Sequence, residues 1–434
     1  VSDKLAAQLV SSFPLKLAHR RVRKLRKRIE NCREQARIAE LSGNATRCKR
    51  LLRKAGYLGR QLSKSFAGKL IATVQAFKKS RFADHAMTTA ELYETAASIS
   101  LAAPENESLR IKAKDKKAWP EFRAIYSFGP RETARQNLVK MALRPQLPSL
   151  PYQFLSYGGR NAAVDRVQEK LESGRYRFAA TLDIRNFYPS IDRTWLASHL
   201  PVGENVSRNT IFLENNQSRA HVSGYGLYRH AIARTTVLDE SRKGLLQGAA
   251  SSPTIAEALT AAILRDLVLP EGVALSNYAD NFVVLASDRG QLEAAVHSLQ
   301  DAFARHPSGE LRLISDGIRR VSDGFVFLGY QHKRRKGKVT SVPLEQNKCK
   351  FIKRVRRLTV GILLRGADPR SLHRYVLSWV SAFRHWKGRY GFVMQTLRPF
   401  SRVSAVRTTF DAVLERARVD FAKMEAEALR ENTV

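Results

Sequence analysis

Asn277-Tyr278-Ala279-Asp280-Asn281-Phe282-Val283-Val284-Leu285 sets a tight polar pair, Asp280 and Asn281, among apolar, β-prone residues. The pattern predicts a β-hairpin whose tip presents Asp280. An acid at such a tip can serve turn geometry alone. Upstream, however, Thr181-Leu182-Asp183-Ile184-Arg185-Asn186-Phe187-Tyr188-Pro189-Ser190-Ile191 places a second acid at the end of a β-prone run, before a predicted helical turn. Two carboxylates at adjacent strand ends repel, and each loses hydration on burial, a cost that divalent cations remove. Hard oxygen donors favour magnesium or manganese over zinc or copper. Two such ions a few ångströms apart would activate a 3′-hydroxyl and stabilise charge on the attacked phosphate and the departing pyrophosphate.

The charge balance suits a polyanionic partner. Against 39 Asp and Glu stand 75 Lys and Arg, a net charge of +36 on 434 residues. With 44% hydrophobic and 9% aromatic residues the chain can bury real cores, so it is no disordered polycation. Its length suits two to four packed subdomains. Nucleic acid is the leading partner; a merely soluble basic protein and an anionic membrane surface are the competing readings. Cys32, Cys48 and Cys349 make no CxxC pair or Cys/His cluster, which points away from structural zinc and disulfides and toward a reducing compartment. The longest apolar region, Ile255 to Leu269, is broken by Glu257, Arg265 and Asp266, short of the roughly 20 residues a membrane span requires. The opening Val1-Ser2-Asp3-Lys4 has no signal-peptide core, and the expectation is a trimmed cytoplasmic protein without a membrane partner.

Residues 1–80 hold 21 Lys or Arg against four acids. Within them Val22, Leu25, Ile29, Cys32 and Ala36 form one apolar stripe at helical spacing under a basic face. Ser42-Gly43-Asn44 breaks the pattern, and Leu51, Leu52, Ala55, Leu58 and Leu62 resume it, so a basic helical hairpin is predicted. Its cations, Lys24, Lys27 and Arg28 among them, suit structured RNA or a duplex; solvated charge on ordinary helices is the alternative. Three regions are expected: a basic helical extension over 1–104, an α+β region over 105–335 in which β-prone runs alternate with helices, and a helical region over 336–434. In the last, Trp379, Phe383 and Trp386, then Phe410, Val413, Ala417 and Phe421, recur at helical spacing.

Four segments in order resemble the reverse transcriptases, in particular the bacterial branch of retron, group II intron and defence-associated enzymes. Leu182 to Ile191 looks like their first palm motif, and Leu246-Gln247-Gly248-Ala249-Ala250-Ser251-Ser252-Pro253 is similar to their Pro-Gln-Gly-x-x-x-Ser-Pro motif. Tyr278-Ala279-Asp280-Asn281 resembles their Tyr-x-Asp-Asp box, and Phe327-Leu328-Gly329-Tyr330 their primer-grip turn. Upstream, Lys117 and Arg123 look like the basic pair of the fingers, and Tyr157-Gly158-Gly159-Arg160-Asn161 resembles the Gly-Arg-Ser segment. Coverage runs from about 115 to 335, with a looser likeness over Trp379 to Tyr390.

The resemblance implies a right-hand polymerase with fingers, a palm built on a ferredoxin-like antiparallel sheet, and a helical thumb. It further implies addition of dNTPs to a 3′-OH or a protein primer. Asp183, the Ile184 carbonyl and Asp280 would hold two Mg²⁺ or Mn²⁺ ions, with Asn281 beside them. Lys117, Arg123, Tyr188, Gln247, Gly248 and Tyr278 would bind the nucleotide, Tyr188 as the steric gate against a ribose 2′-hydroxyl. Phe327 to Tyr330 would hold the primer, and Arg160 would join the RNA-binding set. Expected partners are an RNA template or a dedicated non-coding RNA and the DNA product, in antiphage defence, with self-association or a partner protein left open. Untemplated or protein-primed synthesis, and an RNA-binding scaffold weakened at Asn281, are the alternatives. Asn281 stands where a further aspartate is usual, Leu246 and Ala250 depart from the usual prolines, and Gly309 to Asp316 lacks the usual Lys-Thr ending. Neither an endonuclease domain nor a clear RNase H set of acids is expected after the thumb-like region.

Overall fold

The computed structural model describes residues 13–79, 88–107, 109–115, 122–147, 150–156, 158–215, 221–223, 235 and 237–431. Lys117 and Tyr157 fall outside these residues. The chain begins with helices α1 (Phe13–Leu41), α2 (Ala45–Lys64), α3 (Phe66–Lys79) and α4 (Thr89–Ser98). Strands β1 (Arg110–Asp115) and β2 (Phe122–Ser127), helices α5 (Pro130–Leu143) and α6 (Gly159–Glu172), and strands β3 (Phe178–Arg185) and β4 (His221–Ser223) follow. Next come α7 (Ser252–Ile263), β5 (Ala274–Tyr278), β6 (Asn281–Ala286), α8 (Arg289–Arg305) and β7 (Arg312–Arg320). The chain continues through β8 (Phe325–Phe327), β9 (Tyr330–Arg335), β10 (Lys338–Pro343), α9 (Glu345–Arg365), α10 (Arg370–Ala382), α11 (Arg389–Leu397) and α12 (Ser404–Glu431). It is an α+β protein, mostly helical, with small and mainly antiparallel sheets ordered β2-β1-β4, β5-β6-β3-β7 and β10-β9-β8.

Two compact units are each assembled from three separate stretches. The first comprises 1–156, 184–268 and 298–314, the second 157–183, 269–297 and 315–434.

In the first unit the predicted helical hairpin is α1 and α2. Leu15, Ala18, Val22, Ile29, Cys32, Ala36 and Ala39 are buried along one side of α1, while Lys24, Lys27 and Arg28 are exposed. Spacings that alternate three and four keep a single stripe turned inward along the whole helix. Gly43, at φ 73°, makes the turn, and Asn44 caps α2 by accepting from the Arg47 backbone N–H at 3.0 Å.

Helix α5 is tied down by polar groups that the apolar pattern does not reveal. Its N-cap is Gly129, which has no side chain to offer, and Glu107 supplies the cap instead. That carboxylate accepts from the Arg131 and Glu132 backbone N–H groups at 3.0 and 2.7 Å. A Cβ on residue 129 would stand 2.0 Å from Glu107, so the glycine admits the carboxylate. One turn along, Arg135 is fully buried and donates to Glu132 at 2.6 Å and to the Ser100 and Ala103 carbonyls at 2.9 and 2.6 Å. Gln136 donates to Glu132 at 3.1 Å and to the Thr210 carbonyl, and it accepts from Ser251. Burial pushes the Glu132 carboxyl up to about 8, with Arg135 and Gln136 acting against the shift, and the buried cluster holds because each partner is hydrogen-bonded.

In the second unit Phe351, Trp379, Phe383 and Phe392 pack ring against ring, with centroids 4.5 Å apart for Phe351 and Trp379 and 4.7 Å for Trp379 and Phe383. Around them Val355, Leu372, Val376, Val393, Val406 and Val413 close one core drawn from α9 to α12. The predicted stripe on α12 is only partly inward: Val413 and Ala417 are buried, and Phe421 is exposed. Trp386 lies beyond the end of α10, in the turn before α11.

Arg135→Met would leave Glu132 buried without its cation. We expect a loss of about 3–5 kcal/mol in unfolding free energy, measured by urea denaturation of the first unit's helical signal.

Candidate active site

The sheet β5-β6-β3-β7 positions the two acids. β5 and β6 pair as an antiparallel hairpin with Tyr278 opposite Asn281, so Ala279 and Asp280 form a two-residue turn. Ala279 holds φ 57°, a left-handed conformation unfavourable for a side-chain-bearing residue by roughly 1–2 kcal/mol. Asn277 holds it there: this buried amide donates to the Ala279 carbonyl at 3.0 Å and to the Asn281 carbonyl at 3.1 Å. β3 lies on the other side of β6, with Asp183 directly opposite Asn281. Facing residues on adjacent strands bring their Cβ atoms within about 5 Å, so Asp183, Asn281 and the tip residue Asp280 share one end of the sheet.

Asp183 is exposed, and Asp280 and Asn281 are half-buried. The Asn281 amide donates to Asp280 Oδ1 at 2.8 Å. An aspartate at 281 would repel that carboxylate; the asparagine fixes its orientation. Two residues back along β3, Thr181 donates to Asp316 of β7 at 3.3 Å. Among the described residues no group of three or more His, Cys, Asp or Glu gathers as a metal cage. Two carboxylates nevertheless suit magnesium, which keeps its waters and typically takes one or two protein carboxylates together with substrate phosphates.

The predicted primer-grip residues form a second strained turn in the same unit. Phe327 pairs with Tyr330, leaving Leu328 at φ 48° and Gly329 at φ 78° as a two-residue hairpin turn, the doubly left-handed form that matches strand twist. Both turn carbonyls are held. Arg160 donates to the Leu328 carbonyl through Nε at 3.1 Å and through a second nitrogen, and Asn347 donates to the Gly329 carbonyl at 3.0 Å. Arg160 also donates to the Ala382 carbonyl, and Tyr330 to the same oxygen at 3.0 Å. Burial lowers the Arg160 pKa, with Tyr330 and Tyr278 acting against the shift. Through these bonds Arg160 holds the turn.

Beneath that turn lies His332, fully buried. Its Nε2–H donates to the Phe327 carbonyl at 3.3 Å and its Nδ1 lies 2.8 Å from Ser341 Oγ. Burial pushes this ring down to about 3, so it is neutral in the fold.

In the first unit the remaining predicted residues form a network of their own. Tyr188 is half-buried and stacks on Phe187 with ring centroids 5.9 Å apart. Its carbonyl accepts from Leu245 N–H at 2.9 Å. The Gln247 carbonyl accepts from Tyr126 N–H on β2 at 2.8 Å, and Arg123 is exposed on the same strand. Gly248, at φ 111°, has no room for a Cβ, which would stand 2.4 Å from the Tyr126 carbonyl. Ile184, which follows Asp183, is buried. The roles of Asn277, His332 and Asn347 went unread because polar residues in β-prone or basic runs carry no periodic signal. The short offset between Asn277 and the turn was the one local clue.

No protein-family profile matches the chain, and no curated protein matches it in sequence. Among solved structures, telomerase from Candida albicans, in complex with a TWJ fragment of telomeric RNA, is similar with a TM-score of 0.36 at 12% identity. The likeness covers 71% of this chain and 66% of that one. No helix among the described residues is long and apolar enough to cross a membrane.

The folded state holds His332 neutral, whereas the unfolded chain takes up a proton near the ordinary value of 6.5. Its contribution to stability is therefore complete above about 6.5 and is lost as pH falls toward 3. Thermal unfolding followed from pH 7.5 to 4 should show a steeper decline for the parent than for His332→Gln.

Proposed function

We propose that the chain is a reverse transcriptase, a nucleotidyltransferase adding dNTPs to a 3′-OH on an RNA template. The observation that carries this reading is the facing of Asp183 and Asn281 across β3 and β6, with Asp280 at the adjoining hairpin tip. Asp183, the Ile184 carbonyl and Asp280 would hold two Mg²⁺ ions, which supply activation of the 3′-hydroxyl and charge for the developing pyrophosphate. Asn281 then acts on Asp280, steadying the carboxylate by its 2.8 Å hydrogen bond.

The other residues divide the remaining work. Gln247 and Gly248, held against β2 by the Tyr126 hydrogen bond, and Arg123 on that strand would receive the nucleotide. Tyr188 would exclude a 2′-hydroxyl. The turn from Phe327 to Tyr330, clamped by Arg160 and Asn347, would hold the primer end. The exposed cations of α1 favour a dedicated RNA as partner. The bacterial resemblance extends the proposal to antiphage defence.

Purified protein given Mg²⁺, dNTPs and a primed RNA template should incorporate label, and Asp183→Ala or Asp280→Ala should lower incorporation by at least a hundredfold. Both variants polymerising as well as the parent would overturn the assignment. Tyr188→Ala should admit ribonucleotides. Incorporation that appears only in Asn281→Asp would favour a scaffold over an enzyme.

A further inference from the structure

Ser251 stands at the N-cap of α7, where a serine hydroxyl ordinarily accepts from the first amides of the helix. It makes no such bond. Pro253, in the first turn, already removes one amide that would need a partner. The Ser251 hydroxyl turns away from the helix and donates to the Gln136 amide oxygen. Both residues are fully buried.

Gln136 is fixed from several sides. Its amide nitrogen donates to Glu132 at 3.1 Å and to the Thr210 carbonyl, so with the bond from Ser251 both of its N–H donors and its oxygen are engaged. Thr210 lies in a π-helical turn over Ser207–Ile211, a form that recurs at functional sites. The Thr210 hydroxyl donates to the Leu101 carbonyl at 2.6 Å, and Glu132 accepts from Arg135 at 2.6 Å. Gln136 is therefore a fixed post within the first unit.

What it holds is the loop before α7. Ser252 donates to the Leu246 carbonyl at 2.9 Å, and the Ala249 N–H donates to the same oxygen at 3.2 Å, which closes 246–252 into a ring. Two bonds reach outward from the ring. The Gln247 carbonyl accepts from the Tyr126 N–H at 2.8 Å, and Ser251 donates to Gln136. Gly248, exposed between these anchors, has no side chain to fix it.

We propose that Gln136 and Ser251 are positioning residues for the nucleotide site: their hydrogen bond sets the 246–252 ring against β2, so that Gln247 and Gly248 meet an incoming nucleotide in one orientation. Both act through the ring, from within the core. The proposal rests on the preceding assignment of Gln247 and Gly248 to the nucleotide, while the docking of the ring is measurable without any reaction.

The test is hydrogen exchange resolved to single amides in the full chain, with the β1–β2 ladder as internal standard. The Tyr126 amide donates to Gln247, so its exchange reports whether the ring is docked. Ser251→Ala removes one hydroxyl from the buried pair, and Gln136→Met keeps the length of the side chain without its polar end. Each should speed exchange at Tyr126 by roughly tenfold, the scale of one lost hydrogen bond, and leave the ladder amides at parent rates. In an active chain the same variants should raise the KM for dNTP several-fold with kcat within about twofold of the parent. Equal acceleration at Tyr126 and throughout the ladder, or a fall in kcat at unchanged KM, would reduce the pair to support of the fold and overturn the proposal. Parent exchange at Tyr126 in both variants would overturn it too, and where Gln136→Met does not fold, Ser251→Ala decides alone. A chain that incorporates no nucleotide yet loosens Tyr126 in Ser251→Ala sinks the polymerase and leaves the pair as the anchor of the ring. An active polymerase whose Tyr126 exchange and KM stay at parent values does the reverse.

Discussion

The register between β3 and β6 is the constraint on which the candidate site depends. Leu182 faces Phe282 and Ala180 faces Val284 across the same ladder that sets Asp183 against Asn281, and those four apolar residues are buried. Side chains alternate faces along a strand, so a slip of one residue would carry the exposed Asp183 onto the face where Leu182 and Ile184 are buried. Burial of Leu182 and Phe282 therefore fixes where the carboxylate stands. The apolar residues supply the free energy, and the polar end of the strand is carried into place by them.

A second constraint is shared by two turns. Ala279 and Leu328 both adopt left-handed conformations with a side chain present, and in each case a polar side chain grips the turn carbonyl. Asn277 does so for Ala279, and Arg160 for Leu328. The cost of each conformation is met by hydrogen bonds, local ones within the hairpin at Ala279 and long-range ones from Arg160 at Leu328. Each turn is thereby held in one geometry.

Much of this was legible in the sequence, and the rest had physical reasons to be hidden. The stripe from Val22 to Ala36, the β-prone run before Asp183 and the hairpin around Ala279 and Asp280 all follow from local periodicity and turn chemistry, and local signals are what a sequence displays. The buried triad of Glu132, Arg135 and Gln136 reads as an exposed polar stretch, because its partners at Ser100, Ala103 and Thr210 are distant in sequence. Phe421 failed in the opposite direction: its spacing fits the helix, but the core is already closed by Val413 and Ala417. Arg160 was recognisable as a notable cation, yet nothing local could show that its donors reach Leu328 and Ala382.

The interleaving of the two units bears on how the chain is made. The first unit is incomplete until residues 298–314 are present, and the second until the C-terminal stretch is. A ribosome releasing this chain from its N-terminus therefore exposes α1 to α5, cationic and amphipathic, well before the strands that complete their unit have been translated. Long-range closure of this kind slows folding and prolongs exposure of apolar faces. A nascent segment so rich in Lys and Arg therefore carries its positive field into solution before either unit has closed.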